Sequence, residues 1–281
     1  MYAVTLQDDG SRLVTDQTQL VEGVLSKLSG ARVAVVGDFC VDHYLFVAEG
    51  AADASVETGL HTRRIGEVRV APGGAGNVVN NLGALGVGAI EAFGVIGDDM
   101  YGRELTRLFQ IAGARTSGLI VQEEGWSTSV YTKVYEEGAE DPRLDIGARN
   151  HLSEDTAQAI YAALREALPR VDVVIVNQQI RESLFDDSFR RELAVLLASA
   201  PEVETIVDSR DYADAFHGSV RKINLAEARS FADLPNGGSS AAEIEDLCRS
   251  LSLRWETPIV VTRGEDGCVV ADGERIDRSE E

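Results

Sequence analysis

Short runs of β-branched, almost wholly apolar residues recur along this chain, and helical stripes separate them. Arg32 to Val36 in "RVAVVG" is closed by Gly37, and "VDVVIV" spans Val171 to Val176. A run that is apolar on both faces suits a parallel sheet covered by helices better than a half-wet antiparallel one. The covering helices are legible as well. From Asn77 onward Val78, Leu82 and Leu85 keep helical spacing, as do Ala157, Ile160, Leu164 and Leu168. Phe189, Leu193, Leu196 and Leu197 form another stripe before "VETIVD", and Ile244, Leu247 and Leu251 one before "PIVVTRGEDGCVVADG". With "IEAFGVIG" after Gly88, the alternation predicts an α/β fold: a doubly wound, mostly parallel sheet with helices on both faces.

Two segments break the rhythm. His43 to Val70 and Gly125 to Gly147 are polar and carry short alternating pieces such as "STSVYTKVYEE". They are expected to form antiparallel strands outside the main sheet, a small β lid over the carboxyl ends of the parallel strands, where open α/β sheets take their ligands. Leu20, Val21, Val24, Leu25 and Leu28 predict a leading amphipathic helix that ends near Gly30. The expected organisation is therefore a helical extension over 1–30 and one domain over 31–281, with lid segments at about 43–70 and 125–147.

The charge balance narrows the partners. Acidic residues number 47 against 26 basic ones, a formal net charge of -21, which repels both a nucleic-acid backbone and an anionic membrane surface. No apolar run approaches the length needed to cross a bilayer. Cys40, Cys248 and Cys268 are scattered and without metal-ligand spacing, as in a reducing compartment. The opening "MYAVTLQDDGSRLVTD" lacks the basic and apolar regions of a secretory signal, so a cytoplasmic protein is expected. Neither a G-x-x-x-x-G-K-[ST] loop nor a G-x-G-x-x-G after the first strand is present, which removes the main support for a Walker-type ATPase or a Rossmann dehydrogenase. The four histidines lack zinc spacing.

Candidate site residues gather at strand ends. Asp38 and Asp42 flank the end of the first strand; Asp42 can accept hydrogen bonds from two sugar hydroxyls, while Asp38 either joins it or caps a turn. In "VRVAPGGAGNVVNNLGALG", Gly73 and Gly74 let the backbone approach a ligand closely, and Asn77 supplies an amide at a helix start; a plain tight turn is the alternative. "NLAE" places Asn224 and Glu227 one helical turn apart, able to organise magnesium-bound water near phosphates or merely to open a helix. "VTRGEDG", Val261 to Gly267, reads as a strand ending in an acidic turn. His43 is expected at the rim.

In this order the pieces resemble the ribokinase-like (PfkB) family of sugar kinases, from about Ala31 to the end of the sequence. "VVGDFCVD" is similar to the family's first strand with its substrate-holding aspartate, and "GGAGNVVNNLGALG" to its first signature. "VIGDDMYG" resembles V-G-D-D-x-x-G, "NLAE" resembles N-x-x-E, and "VTRGEDG" resembles the strand and turn that border the nucleotide. "GDFCVDHY" and the "SVET" of Ser55 to Thr58 look most like the heptose-7-phosphate kinase branch, which phosphorylates the anomeric hydroxyl of a sugar phosphate. Val56 and Thr58 replace that branch's prolines or small residues, and Asn177 to Gln179 replace its serine-aspartate-tyrosine run.

The resemblance implies phosphoryl transfer from ATP, with Mg2+, to a sugar or sugar phosphate. It implies Asp38, Asp42, Gly73, Gly74, Asn77 and Lys133 around that substrate. It implies Asn224, Glu227, Thr262, Arg263 and Gly264 around the nucleotide, with Glu227 reaching the metal through water. Lid strands pairing between two copies would give a homodimer. The family's second signature, D-T-x-G-A-G-D, supplies its catalytic base and an anion-holding turn. It does not occur in these 281 residues, which end "DGERIDRSEE", so the resemblance implies no catalytic base here and puts the family's base beyond Glu281. A general base is worth about 10² to 10⁴ in rate and an oxyanion donor about 10² to 10³. The expectation is a kinase chain that is weak by itself, the alternative a catalytically inactive sugar-binding module.

Overall fold

Val33, Ala34, Val35 and Val36 are at most 5% exposed, and that burial puts β1 (Arg32–Gly37) at the middle of the main sheet. The computed structural model describes residues 19, 21–50, 53–181, 184–235 and 240–279. Three of the sequence readings therefore lie outside the described residues: Leu20 of the leading stripe, the opening run 1–16, and Glu281, the position beyond which the family's base was expected. Residues 21–28 are helical (α1), but Val21, Val24 and Leu25 are exposed, so most of the expected apolar stripe has no core beneath it.

β1 turns at Asp38 into β2 (Phe39–Val47), which with β3 (Ile65–Gly74) leaves the main sheet for the lid. The chain returns through α2 (Ala75–Ala84), β4 (Ala89–Gly97), α3 (Met100–Ile111) and β5 (Ala114–Gln122). The second lid excursion holds β6 (Ser129–Glu136), β7 (Ala139–Glu140) and β8 (Leu144–Ile146). Then follow α4 (Glu154–Ala167), β9 (Val173–Gln178), α5 (Asp187–Ala198), β10 (Glu204–Ser209), β11 (Val220–Asn224), α6 (Leu225–Phe231), α7 (Ala241–Trp255), β12 (Ile259–Thr262), β13 (Cys268–Asp272) and β14 (Arg275–Ser279).

The main sheet runs β14-β13-β12-β11-β10-β9-β1-β4-β5. It is parallel from β5 to β12, and β13 and β14 close one edge antiparallel. Registered partners share a face, which divides the core in two. Val36, Val176 and Val207 lie on one face, under Ile160 and Leu164 of α4 and Phe189 and Leu193 of α5. Farther along, Ile223 and Val261 pack under Ile244 and Leu251 of α7. On the other face α2 and α3 cover Val35 and Ala92 with Val79, Leu105 and Phe109. Beyond β1 that second face is different: Ile175 and Ile206 stay half-buried, and Lys222 and Asn224 are exposed. Among the described residues no helix covers it there, and this open floor becomes the site.

The lid is a second sheet, ordered β3-β2-β6-β7 with β8 also on β6. Its pairing departs from expectation. β2 and β3 are antiparallel, but the two excursions are joined by a parallel pair, β2 with β6. The lid also begins earlier than the polar composition suggests. β2 starts at Phe39, so Asp42 belongs to a lid strand rather than to the end of β1. Two anchors hold the lid to the main sheet: the β1–β2 link, and Asp99, whose Oδ1 caps α3 while its Oδ2 accepts the Thr128 N–H at 2.8 Å.

Candidate active site

A cavity of about 760 Å³ lies between the lid, α2 and the carboxyl ends of β9 to β12. Cys40, Asp42, Tyr131 and Arg143 face it from the lid, Asn77 and Asn81 from α2. Ile175 and Ile206 form an apolar floor, and Asn177, Asp208, Lys222, Asn224 and Thr262 bound it at the strand ends.

At the lid end, Lys133 Nζ donates to Asp42 Oδ1 at 3.0 Å and to Tyr44 Oη at 3.3 Å, and sits 4.8 Å from the Tyr44 ring centroid. Burial works against the Lys133 ammonium, but the hydrogen bonds to Asp42 and Tyr44 outweigh it and raise its pKa. The lysine therefore neutralises Asp42 from the neighbouring lid strand and is not among the residues that line the cavity. Asp42 lines the cavity, and the bond to Lys133 engages its Oδ1 and not its Oδ2.

Gly73 makes room for that oxygen, since a Cβ there would stand 3.0 Å from Asp42 Oδ2 and 2.7 Å from Cys40 Sγ. Gly74 has φ 56° and ψ -129°, and a Cβ would lie 2.5 Å from the Asp38 carbonyl oxygen. The glycine pair is thus no loose turn. β3 runs through Gly74, and α2 starts at Ala75, two residues before Asn77. Gly74 and Asn77 line the cavity; Gly73 stands behind Asp42.

Asp38 is 2% exposed and does not reach the cavity. Its Oδ2 accepts the N–H groups of Gln179 and Ile180, both at 2.9 Å, and its Oδ1 has no partner. Burial pushes its pKa up to about 7, against the lowering effect of those backbone bonds. The alternative held open for Asp38, a turn cap, is what the geometry displays, at the turn that follows β9. His43 contacts Tyr101 and Thr132 at 3.5 Å within the lid's root.

At the other end Asn224 is the N-cap of α6. Its Oδ1 accepts Glu227 N–H at 2.9 Å, and its own N–H donates to Glu227 Oε2 at 2.8 Å. This capping box fixes both side chains at the cavity wall; the helix-opening reading of "NLAE" is the one the geometry displays. Burial raises the Glu227 pKa, and the charge of Asp208 adds to it, while the Asn224 N–H, Lys222 and Arg210 oppose the shift. Thr262 lines the cavity. Arg263 and Gly264 do not: the Arg263 guanidinium donates to the Asp266 carbonyl, and Gly264, at φ 66°, opens the short turn Gly264–Asp266.

Magnesium retains several waters and commonly takes only one or two carboxylates besides phosphates. The described residues hold no cluster of three His, Cys, Asp or Glu fit to cage a metal, whereas Glu227 offers one wall carboxylate. The donor set fits a water-bridged magnesium on a phosphate ligand. A buried, unpartnered acceptor, Asn177 Oδ1, also belongs to a cavity-lining residue.

Sequence reasoning missed Tyr131, Arg143, Asp208, Arg210 and Lys222. Arg143 stacks 4.3 Å from the Tyr131 ring and pairs with Asp145 at 2.6 Å. A usable signal existed for Asp208 and Arg210, which follow "VETIVD" at the carboxyl end of a strand, the ligand side of an open α/β sheet. Lid periodicity gave none for Tyr131 or Arg143.

A profile described as pfkB family carbohydrate kinase matches residues 31–278. The bifunctional protein HldE of Desulfatibacillum aliphaticivorans is 29% identical over 252 residues, covering 86% of this chain and 49% of the relative. HldE of Caulobacter sp. strain K31 is 30% identical over 257 residues, covering 89% and 51%. The chain spans about half the length of these curated relatives. Among solved structures, phosphofructokinase-2 from Escherichia coli in complex with fructose-6-phosphate matches with a TM-score of 0.66 and 16% identity, covering 89% of this chain and 79% of that one. Ribokinase from Arabidopsis thaliana complexed with ribose and ATP matches with a TM-score of 0.64 and 15% identity, covering 89% and 78%. At those identities the likeness is one of fold, the ribokinase-like α/β architecture.

Proposed function

This chain belongs to the pfkB family of carbohydrate kinases, and from that premise we propose that its cavity brings ATP and a sugar phosphate together for transfer of the terminal phosphoryl to a sugar hydroxyl. One observation carries the reading. A single cavity has a carboxylate and an amide suited to hydroxyls at the lid end, Asp42 and Asn77, and the Asn224–Glu227 wall at the strand ends. Heptose 7-phosphate is the proposed acceptor, on the likeness of "GDFCVDHY" and "SVET" to that branch and on the HldE relatives.

In this reading Asp42 accepts hydrogen bonds from two sugar hydroxyls through Oδ2, with the Lys133 ammonium on the neighbouring lid strand balancing its charge. Asn77 donates or accepts at the start of α2. Magnesium, when bound, neutralises charge on the phosphates, and Glu227 orients its water shell. The lid excludes bulk water, which strengthens each of these interactions. No residue of the 281 is assigned as the base that takes the hydroxyl proton. Among the described residues no helix is long and apolar enough to cross a membrane, and the three cysteines are unpaired, which supports the proposed cytoplasmic setting. The lid edge β3 exposes Ile65 and Val68, which supports pairing of two copies there.

The test is transfer of label from terminally labelled Mg-ATP to a panel of sugars and sugar phosphates, run beside binding titrations. Saturable binding of heptose 7-phosphate, with label entering it above the sugar-free rate, is expected. The reading fails if the folded protein binds no sugar or sugar phosphate and labels none.

A further inference from the structure

We propose that Arg210 is a phosphate-binding residue for the nucleotide, at the end of the cavity opposite Asp42. The inference rests on the kinase reading and adds to it a residue that no motif marks.

The argument is one of unmatched charge. Six lining residues are charged: Asp42, Arg143, Asp208, Arg210, Lys222 and Glu227. Lys133 neutralises Asp42, Asp145 pairs with Arg143, and Lys222 pairs with Asp208 at 3.0 Å. Glu227 accepts the Asn224 N–H and has no ion pair among the described residues. Among the described residues the Arg210 guanidinium alone of the cavity's cations has no ion pair. In a chain of net charge -21, an arginine without an ion pair on the wall of this cavity is available to an anionic ligand.

Its backbone is fixed while its side chain is free. Gln178, fully buried, accepts the Arg210 N–H on its carbonyl at 3.1 Å, and its Oε1 accepts Ser209 Oγ at 2.8 Å and Asp211 N at 3.0 Å. The loop after β10 is therefore locked on both sides of Arg210. Arg210 follows β10, which pairs with β11, the strand that ends at Asn224, and its charge favours the ionised form of Glu227, so it stands toward the Asn224–Glu227 end rather than the sugar end. A guanidinium fork suits phosphate oxygens bidentately, and the nucleotide brings several negative charges to a wall whose own Glu227 carboxylate has no ion pair among the described residues.

Arg210→Ala and Arg210→Lys are to be titrated calorimetrically, as the intact chain, with Mg-ATP and separately with heptose 7-phosphate. Arg210→Ala is expected to weaken Mg-ATP about ten- to one-hundred-fold, to leave heptose 7-phosphate affinity unchanged, and to leave the unliganded melting temperature unchanged because the side chain bonds nothing. Arg210→Lys is expected to recover part of the loss. Unaltered Mg-ATP affinity in Arg210→Ala overturns the proposal, as does a loss confined to the sugar phosphate, which would make Arg210 part of that subsite instead. A wild-type protein that binds neither ligand overturns the kinase reading itself, and Arg210's role with it.

Discussion

Two carboxylates four residues apart have opposite fates. Asp38 is enclosed with one oxygen unpartnered and a pKa near 7, so the folded state binds its proton more tightly than the unfolded chain does. Its stabilising contribution is complete below the ordinary aspartate pKa and is lost as pH rises through about 7. The slope of stability across that window is at most roughly 1.4 kcal/mol per pH unit. Denaturant unfolding from pH 4 to 8 is expected to show the decline in the wild type and a flatter profile in Asp38→Asn; parallel profiles would contradict the assignment. Sequence placed both aspartates beside a ligand because both follow a buried strand. What it lacked was the turn at Asp38 that sends Asp42 into the lid and leaves Asp38 beneath it. The pairing of Lys133 with Asp42 was not legible either: it is set by a β2–β6 register that no local pattern encodes.

Helix openings carry the site, and they separate structural from ligand roles. Asn224→Ala removes the cap of α6 and is expected to cost about 1 kcal/mol in thermal unfolding. Glu227→Gln keeps an acceptor for the Asn224 N–H; its stability is expected within about 0.5 kcal/mol of wild type, with the magnesium dependence of ATP binding reduced. Equal ATP affinity with and without magnesium in the wild type would remove that role. Gly74→Ala forces a Cβ against the Asp38 carbonyl at positive φ, and a loss of about 1–3 kcal/mol is expected in denaturant unfolding. Elements with a clean period were legible: β1, β9, α4, α5 and α7. β5 was not, because "ARTSGLIVQ" mixes polar and apolar residues on a strand at the edge of the sheet, and the parallel β2–β6 pair was not, because strand direction leaves no trace in alternation.

The molecule as a whole is a covered parallel sheet with one open quarter, and the lid faces that quarter. Both anchors of the lid, Asp38 and Asp99, lie at carboxyl ends of main-sheet strands, so the lid's position is tied to the strand ends that also hold cavity-lining residues. The exposed edge β3 is the proposed contact between copies; the wild type is expected to scatter as a dimer and Val68→Asp as a monomer, and a monomeric wild type or a dimeric Val68→Asp would contradict the proposal. The account depends most on one placement, a sugar phosphate held by Asp42 at the lid end. Titration calorimetry of heptose 7-phosphate into wild type and Asp42→Asn tests it. Saturable wild-type binding is expected, weakened about ten- to one-hundred-fold in the variant while Mg-ATP affinity is retained; a folded Asp42→Asn that binds the sugar phosphate as the wild type does would contradict it.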